Sequence, residues 1–450
     1  MESAKNALDE PVTAVNSAAA RTNFRWIVIG LAFLITLVNY FDRSAISYAI
    51  GPIKHDFNLS DSQFGYIGAA FGIGYMIMTV GGGILVDKYG SHKIWSAAAI
   101  LWSTCTALMA LASGFWPLFF LRSALGIAEG PHFPSLGRVI SDWLPASERA
   151  RATAAGLVGV PLAQVIGAPL LSHLITGIGW RITFIFLGSL GLIWSLVWLG
   201  VFTDYPEKCD KVSDEELKYI REGVLSDRTR SDFDIRKSDH AAGGTTWRTM
   251  LFNKALFANN LAFFSFGYLA FFGMIWFPGY LEETYKLKLT QVGWFTMAPW
   301  LVAAILMPVA GWLSDLLYQR TGSYRIARSH QIWICQLLSA LCFIPVIFSH
   351  SLLFSITMIS LGMGLGMMPN AAFYALNYDI ARDKAGTSLG IMDCFFAAAG
   401  IAAPALTGTL AQVTGGFAAA FGLLVVLTLS SVAAVLFLQR DDREQAAPVS

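Results

Sequence analysis

The sequence predicts an all-α membrane protein with twelve transmembrane helices, arranged as two pseudo-symmetric six-helix halves. Three observations predict this fold class. The 450 residues have a mean hydropathy of +0.55 and only 14% are charged. Apolar stretches long enough to cross ~30 Å of hydrocarbon recur along the chain. One charged segment divides these apolar stretches into two sets of six. The net charge of +1 gives no reason to expect a nucleic-acid partner.

The apolar segments set the predicted order of the spans. Six are expected at about 25–47, 63–86, 94–112, 116–140, 151–175 and 181–202. Six more are expected at about 254–280, 290–314, 331–349, 352–378, 386–410 and 415–438. Because the number of spans is even, both termini lie on the same side of the bilayer. If that side is the cytoplasm, the inner short loops hold nine basic residues against four outside, as the positive-inside rule requires.

The segment from Asp204 to Arg248 is expected to be a solvated linker, because it holds 20 of the 61 charged residues. Within it, Ser213 and Glu216 fit a capping box that opens a short amphipathic helix. The chain is predicted to consist of a disordered cytosolic tail (1–23), a six-helix bundle (24–203), the cytosolic linker with its short helix (204–250), a second six-helix bundle (251–438) and a cytosolic tail (439–450).

Ionisable residues inside the apolar segments are the candidate functional groups, because a charge in hydrocarbon is costly unless it faces an aqueous cavity or a partner. Arg122 and Glu129 are seven residues apart, so on a helix they share one face. Asp42 and Arg43 lie in the first span. His132 also lies in a span, where a packing role is favoured over proton transfer.

The two halves carry a repeated loop motif. The loop after the second span reads GILVDKYGSHK over residues 83–93, and GWLSD stands at the corresponding place of the second half, residues 311–315. A repeat of this kind indicates an internal duplication, the architecture in which a substrate binds at the midplane between the halves. The five cysteines are odd in number and imply neither a disulfide framework nor a metal cluster.

The loop 83–93 resembles the signature loop of the major facilitator superfamily. Three further stretches narrow the resemblance to its anion:cation symporter family: NYFDR at 39–43, GIAEGPHFP at 126–134 and WLPASERA at 143–150. The resemblance extends from about Phe24 to Leu438. It implies the major facilitator fold and an alternating-access symporter, a monomer in a bacterial inner membrane, that takes up a small organic anion with protons and needs no cofactor or metal.

The resemblance also implies roles for individual residues. In the galactonate transporters of this family, positions matching Asp42 and Glu129 carry protons, and the position matching Arg43 contacts the substrate carboxylate. Tyr75 matches a position that lines the cavity. From its position alone, Arg122, on the same side of its helix as Glu129, is expected to form a structural or coupling ion pair or to contact the substrate directly.

Other polar residues are predicted to line the substrate path. Asn370, Tyr374 and Asn377 recur on one face of the tenth span, whose interruption by MGLGMMPN would let that face line the cavity. The glutamine position of the fifth span falls on Val160 in this chain, and Gln164 lies one turn later on the same face. These residues are expected to recognise substrate hydroxyl groups.

Residues at the ends of spans are assigned to gating. Asp87, Lys88 and Asp315 stand at the predicted cytosolic ends, where a carboxylate can favour a nearby helix N-terminus. They are expected to act in gate or helix-terminus contacts and not in substrate binding.

Asp393 in the eleventh span departs from the sugar-acid transporters of the family, which carry an asparagine there. If ionised, it would repel a second carboxylate and accept hydrogen bonds from hydroxyl or amino groups of a substrate. If protonated, it would serve as an additional proton site. A third reading is that it replaces asparagine without functional consequence. The departure leaves the substrate open.

Other functions were weighed against symport. An organic anion antiporter or an organophosphate/phosphate exchanger is the alternative transport class, but phosphate exchangers hold the phosphate between basic residues of both halves, and spans 7 to 12 have no Lys or Arg in their apolar interiors. An intramembrane enzyme is disfavoured because no HExxH motif or nucleophile and base pairing is visible. A non-transporting receptor would have little need for both proton carriers.

Overall fold

The computed structural model describes residues 22–221, 252–323, 325–381 and 385–439. All regular structure within these residues is helical. The predicted N-terminal tail (apart from its last two residues), most of the predicted linker and the predicted C-terminal tail beyond residue 439 lie outside the described residues.

Helices α1 to α8 build the first half. Their bounds are Phe24–Tyr48 (α1), Ile50–Phe57 (α2), Asp61–Tyr89 (α3), Ser91–Met109 (α4), Phe115–Glu129 (α5), His132–Trp143 (α6), Ala146–Ile178 (α7) and Trp180–Val201 (α8). A short helix at 214–221 follows in the linker, where Ser213 Oγ accepts a hydrogen bond from the Glu216 amide at 3.3 Å. We call it the linker helix.

Helices α9 to α16 build the second half. Their bounds are Lys254–Ile275 (α9), Phe277–Tyr285 (α10), Leu289–Thr321 (α11), His330–Phe343 (α12), Leu352–Met367 (α13), Asn370–Ala381 (α14), Ala385–Thr414 (α15) and Ala418–Leu438 (α16). A π-helical turn, Arg325–Ser329, precedes α12.

Each predicted apolar segment coincides with one helix or with two helices separated by a short break. By length and composition alone, eight helical stretches of the described chain could cross a membrane, or nine if the bent pair Asp61–Thr79 and Gly81–Tyr89 counts as one. The count of twelve spans stays a prediction, while the all-helical membrane fold is confirmed.

The helices pack as two copies of one arrangement. In the first half α3 packs on α5, α4 on α8 and α1 on α7; in the second half α11 packs on α13, α12 on α16 and α9 on α15. Between the halves, α3 packs on α15 and α7 packs on α11. Both sets of contacts are consistent with a pseudo-two-fold axis, which the repeated loop motif predicts.

Corresponding helices are broken at corresponding places. The α5–α6 break falls at Gly130 and Pro131, and the α13–α14 break falls at Met368 and Pro369. Proline has no N–H to donate and its ring clashes with the preceding turn, so each proline interrupts the backbone hydrogen-bond ladder. The break after α5 comes directly after Glu129.

Glycines allow α3 and α5 to approach until their backbones touch. A Cβ on Gly126 would lie 2.8 Å from the Tyr75 amide nitrogen, and one on Gly74 would lie 2.9 Å from that of Ile127. Small residues permit such contacts between membrane helices. The approach presses Phe71 and Tyr75 of α3 against the helix that carries Arg122 and Glu129.

The two halves are joined at the end of the molecule opposite the termini. Lys54, which follows α1, is ion-paired with Asp61 of the first half and with Glu283 of the second half, the latter at 2.7 Å. The Ser62 amide also donates to Gln412 Oε1 of the second half at 3.1 Å. We call this end the closed face, and the end at which α1 begins the terminal face.

Candidate functional site

Four of the predicted residues form a buried charged cluster inside the first half. Asp42 and Arg43 come from α1, and Arg122 and Glu129 come from α5; their exposed fractions are between 0% and 3%. Arg43 Nε donates to Glu129 Oε2 at 2.5 Å in an ion pair. With two acids and two bases the cluster is formally neutral, which reduces the cost of burying it.

The cluster is only partly satisfied. Arg43 Nη2, Glu129 Oε1, Arg122 Nε and Nη1, and both carboxylate oxygens of Asp42 are buried without a hydrogen-bond partner. Buried polar atoms are almost always paired, and leaving a charged one unpaired is costly. Such a cluster gains free energy when a proton or a ligand changes the partners of its members. It therefore has the chemistry of a coupling site.

Aromatic rings enclose the Arg43 guanidinium. Its Cζ lies 4.7, 5.0 and 4.8 Å from the ring centroids of Tyr40, Phe71 and Tyr75. The Cζ of Arg122 lies 5.0 Å from the same Phe71 ring. Cation–π contacts of this kind hold a guanidinium in place without using its hydrogen-bond donors. The Arg43 fork therefore keeps donors for a carboxylate.

Asp393 enters the site from the second half. It is half-buried on α15, the helix that packs on α3, and it lies close enough to Tyr75 for the two groups to interact electrostatically. Tyr75 also contacts Arg43. Tyr75 is thus the residue of this site that lies within electrostatic range of Asp393 of the second half.

The remaining predicted binding residues lie on α7 and α14. Gln164 is buried on α7 with its Nε2 unpartnered. Asn370 is half-buried at the start of α14, and the half-buried Tyr374 ring lies 5.6 Å from Phe263 of α9. Asn377 is fully buried, and its Nδ2 donates to the Met392 sulfur at 3.7 Å. In this conformation Asn377 therefore packs between helices of the second half.

The signature loop forms the turn between α3 and α4. Gly90 has a φ of +84°, a left-handed conformation that glycine adopts readily. The Asp204 carboxylate accepts a hydrogen bond from the His92 amide at 2.8 Å, so the chain after α8 caps the N-terminus of α4. Gly90 and the His92 amide of this loop thus serve a tight, capped turn.

The predicted gating residues lie at this turn or at its counterpart. The Asp87 side chain is 79% exposed and pairs with Arg138 Nη1 of α6 at 3.5 Å. Lys88 lies over the ring of its neighbour Tyr89. These contacts are within the first half, and the Asp315 side chain lies outside the part of the chain that can be described. A gating role for all three stays a prediction.

His132 has both ring nitrogens bonded. Trp95 Nε1, which can only donate, lies 3.2 Å from Nδ1, so Nδ1 accepts. Nε2 lies 3.2 Å from Thr36 Oγ1, whose hydroxyl donates to the Ala32 carbonyl. The pattern fits a neutral imidazole that donates through Nε2. The favoured packing role agrees with this geometry.

Three residues of the site were missed by the sequence reasoning. Asn39, Tyr40 and Phe71 were not singled out, although Asn39 and Tyr40 precede Arg43 by four and three residues and so share its helical face. That spacing was the available signal. No sequence signal distinguished Phe71, because phenylalanine is abundant in the apolar segments. Among the described residues, no three His, Cys, Asp or Glu side chains are grouped as metal ligands would be.

Comparison with known proteins is consistent with this geometry. The family model of the Major Facilitator Superfamily matches residues 32–390 and again residues 274–450. A probable sulfoacetate transporter of Cupriavidus necator is 31% identical over 88% of this chain and 90% of its own length. A probable galactarate/D-glucarate transporter of Bacillus subtilis is 31% identical over 94% of this chain and 93% of its own.

A D-galactonate transporter of Escherichia coli is 27% identical over 96% of this chain and 98% of its own. Among solved structures, a bacterial homolog of the human lysosomal transporter Spinster, in an inward-facing and occupied conformation, superposes with a TM-score of 0.77. It covers 95% of this chain and 100% of its own at 17% identity. At that identity the likeness shows the fold alone.

Proposed function

Because this chain belongs to the Major Facilitator Superfamily, we propose that it is a proton-coupled symporter that imports a small organic anion, a sugar acid or another monocarboxylate, by alternating access. It is a multi-pass membrane protein and a transporter, not an enzyme. Its relatives carry the names of organic anion transporters, and this chain transports an organic anion. Proton coupling, symport and the class of anion are the proposal.

The observation that carries the proposal is the buried ion pair of Arg43 and Glu129, at 2.5 Å. A substrate carboxylate and the Glu129 carboxylate compete for the same guanidinium. When Glu129 takes up a proton it loses its charge and releases Arg43, which then binds the substrate carboxylate through its fork. When Glu129 loses the proton it recovers Arg43 and the substrate leaves. Proton binding and substrate binding thereby favour each other.

Asp42 and Arg122 extend the coupling deeper into the bundle. Asp42 faces Glu129, Arg122 and Thr106, so its charge depends on the state of the neighbouring pair. It is the proposed second proton carrier. Arg122 has two unpartnered donors and lies within electrostatic range of both Glu129 and Asp42. It is the proposed cation that compensates whichever acid is ionised.

Asp393 is the proposed contact of the second half. With Arg43 at one end of the site and Asp393 at the other, a monoanion with a hydroxyl or amino group satisfies both, whereas a dianion places a carboxylate near a carboxylate. Because the two residues belong to different halves, rocking of one half against the other changes their separation. This supports alternating access around a fixed site.

The contacts between the halves fit one state of an alternating-access cycle. The halves are joined at the closed face, and the proposed opening of the interface is at the terminal face. If both termini are cytoplasmic, as the basic residues of the short loops indicate, this is a state from which substrate and protons leave into the cytoplasm. The proposed location is a bacterial inner membrane.

Uptake into proteoliposomes with an imposed proton gradient tests the proposal. Radiolabelled galactonate, galactarate and sulfoacetate serve as probes of mono- and dianionic substrates. We expect galactonate, the monoanion among the three, to accumulate above its outside concentration and a protonophore to abolish the accumulation. Uptake that ignores the protonophore but requires an anion inside the vesicles would assign the chain to exchange instead.

A further inference from the structure

Asn39 is the most conspicuous residue that the proposed mechanism leaves unused. It lies on α1 one turn before Arg43, on the same helical face. Its side chain is 0% exposed, and neither Nδ2 nor Oδ1 has a hydrogen-bond partner. A buried carboxamide with both ends unpaired is unusual, because each unpaired end loses its hydration without compensation.

The carboxamide faces the Glu129 carboxylate. Their side chains are close enough to interact, although no hydrogen bond of good geometry joins them. Glu129 is bonded to Arg43 through Oε2 only, and its Oε1 is unpartnered. Glu129 Oε1, an unpaired acceptor, therefore lies beside the Asn39 carboxamide, whose donor Nδ2 and acceptor Oδ1 are both unpaired.

An amide is suited to an acid that changes its charge. The ionised carboxylate accepts only, so it requires the Asn39 N–H as donor. The protonated acid has an O–H that must donate once it no longer pairs with Arg43, and this O–H requires an acceptor, which Oδ1 supplies. Rotation of the amide by about 180° about its last bond exchanges the two ends. One side chain can thus bond Glu129 in both states.

We infer that Asn39 is a positioning residue for proton coupling, which donates to Glu129 when that acid is ionised and accepts from it when it is protonated. This inference rests on the proposed role of Glu129. It assigns no substrate contact to Asn39. The amide keeps the acid aimed at Arg43 in one state and holds it away from Arg43 in the other.

Several other groups face Glu129 and contribute to its titration. On α1, α3, α4 and α5 they are Arg43, Asp42, Tyr40, Tyr75, Cys105 and Arg122. All of them remain in an Asn39 variant. Since a hydrogen bond to a charged acceptor is stronger than one to a neutral group, losing the amide penalises the ionised form more. Glu129 of an Asn39 variant should then keep its proton to a higher pH than Glu129 of the wild type.

The test measures gradient-driven uptake against pH for Asn39→Leu, which is branched at the same carbon but has no polar atoms, and for the smaller Asn39→Ala. We expect the pH of half-maximal uptake to rise by about one unit in both. Asn39→Ser, which retains a donor and an acceptor, should lie near wild type. Asn260→Leu is the matched control, because Asn260 is a buried asparagine of α9 whose Oδ1 is also unpartnered.

The outcomes separate the two proposals. If Asn39→Leu fails to fold, Asn39→Ala decides the question. The role of Asn39 is wrong if Asn39→Leu and Asn39→Ala fold and their pH profiles superimpose on that of the wild type. It is also wrong if Asn260→Leu shifts the profile equally. Glu129→Gln is measured in the same vesicles. If it still concentrates substrate, the coupling role of Glu129 is wrong; if it does not while the Asn39 variants titrate normally, only the role of Asn39 is wrong.

Discussion

At the scale of single residues, Arg43 is the group through which substrate and proton compete. Its guanidinium is fixed by three aromatic rings and by one hydrogen bond to Glu129. Nη2 remains unpartnered. The planar fork, and not merely its charge, is what this arrangement preserves, because only a fork can bind one carboxylate through two parallel bonds.

Arg43→Lys is expected to weaken substrate binding by about 1 to 3 kcal/mol, since a lysine keeps the charge but loses the fork and the ring contacts. Isothermal calorimetry of the purified protein measures the change. Arg181→Lys serves as the control, because Arg181 pairs with Asp56 at an exposed site. Affinity close to wild type in the Arg43 variant would remove the carboxylate contact from the mechanism.

Asp393→Asn is expected to change selectivity. Removing the negative charge near Tyr75 should improve uptake of galactarate, a dianion, relative to a monoanion by several-fold, because the repulsion at that end of the site is lost. Competition of unlabelled anions against a labelled monoanion gives the ratio. Cys394→Ser, at the exposed neighbouring position, is the control. Identical selectivity and identical pH curves would mean that Asp393 is only structural.

The charged residues of the site could be predicted from the sequence, whereas among their neutral neighbours only Tyr75 was, through the family resemblance. Asp42, Arg43, Arg122 and Glu129 are ionisable groups in apolar segments, and such groups must find one another or a cavity. Asn39 and the aromatic residues carry no comparable penalty, so their positions are decided by packing. For the same reason a helical face does not reveal whether Asn377 lines a cavity or packs against its own half.

At the scale of elements, the linker helix is part of the first half and not a loose connection. Glu216 is fully buried and accepts hydrogen bonds from the Phe24 and Arg25 amides at 3.0 and 3.2 Å. It thus caps the N-terminus of α1, whose own N-cap residue, Asn23, makes no side-chain cap. Arg25 also pairs with Glu216 and with Glu148 of α7, each at 2.8 Å.

Glu216→Ala should destabilise the protein by roughly 3 kcal/mol, because it leaves Arg25 with a lost partner and α1 without a cap. The midpoint of thermal unfolding in detergent measures the effect. Glu215→Ala changes the exposed neighbour on the same helix and should leave the midpoint unchanged. Equal midpoints for the two variants would show that the linker helix contributes nothing to the bundle.

The stabilisation that Glu216 gives to the fold depends on pH. Burial opposes its ionisation, but hydrogen bonds from Thr22 and Arg25 outweigh burial and hold the pKa of Glu216 below its usual value. The cap's contribution is therefore complete above the unfolded pKa and is lost as the pH falls through the folded one. Near neutral pH it does not vary, so it does not mimic a coupling proton.

The helix breaks show which element features are readable from sequence. Pro131 and Pro369 predict an interruption, since neither can donate to the helical ladder, and both breaks occur there. Pro161 and Pro169 nevertheless lie inside the continuous helix α7, so a proline favours a break without determining it.

No proline of α3 predicts the bend that this helix makes between Thr79 and Gly81. Near the bend, a Cβ on Gly82 would lie 2.8 Å from the Cα of Pro131, and one on Gly130 would lie 2.7 Å from the carbonyl carbon of Met78. The bend therefore lies where α3 packs closely on the break after α5, a contact between segments far apart in the sequence.

At the scale of the whole molecule, the duplication was predictable and the conformational state was not. The repeated loop at 83–93 and 311–315 indicated two related halves, and the helix pairings follow that symmetry. Which end is closed depends on contacts between the halves, such as those of Lys54 with Glu283 and of Ser62 with Gln412. Alternative states of a transporter differ by only a few such contacts, so no local pattern determines the choice.

Gradient-driven uptake by Glu129→Gln tests the proposed coupling most directly. Glutamine imitates the protonated acid, so the variant should retain exchange of labelled for unlabelled substrate but should lose accumulation against a gradient. Glu215→Gln, an exposed acid of the linker helix, should accumulate substrate as wild type does. A Glu129→Gln variant that still concentrates substrate in response to a proton gradient would contradict the central role of the Arg43 and Glu129 pair.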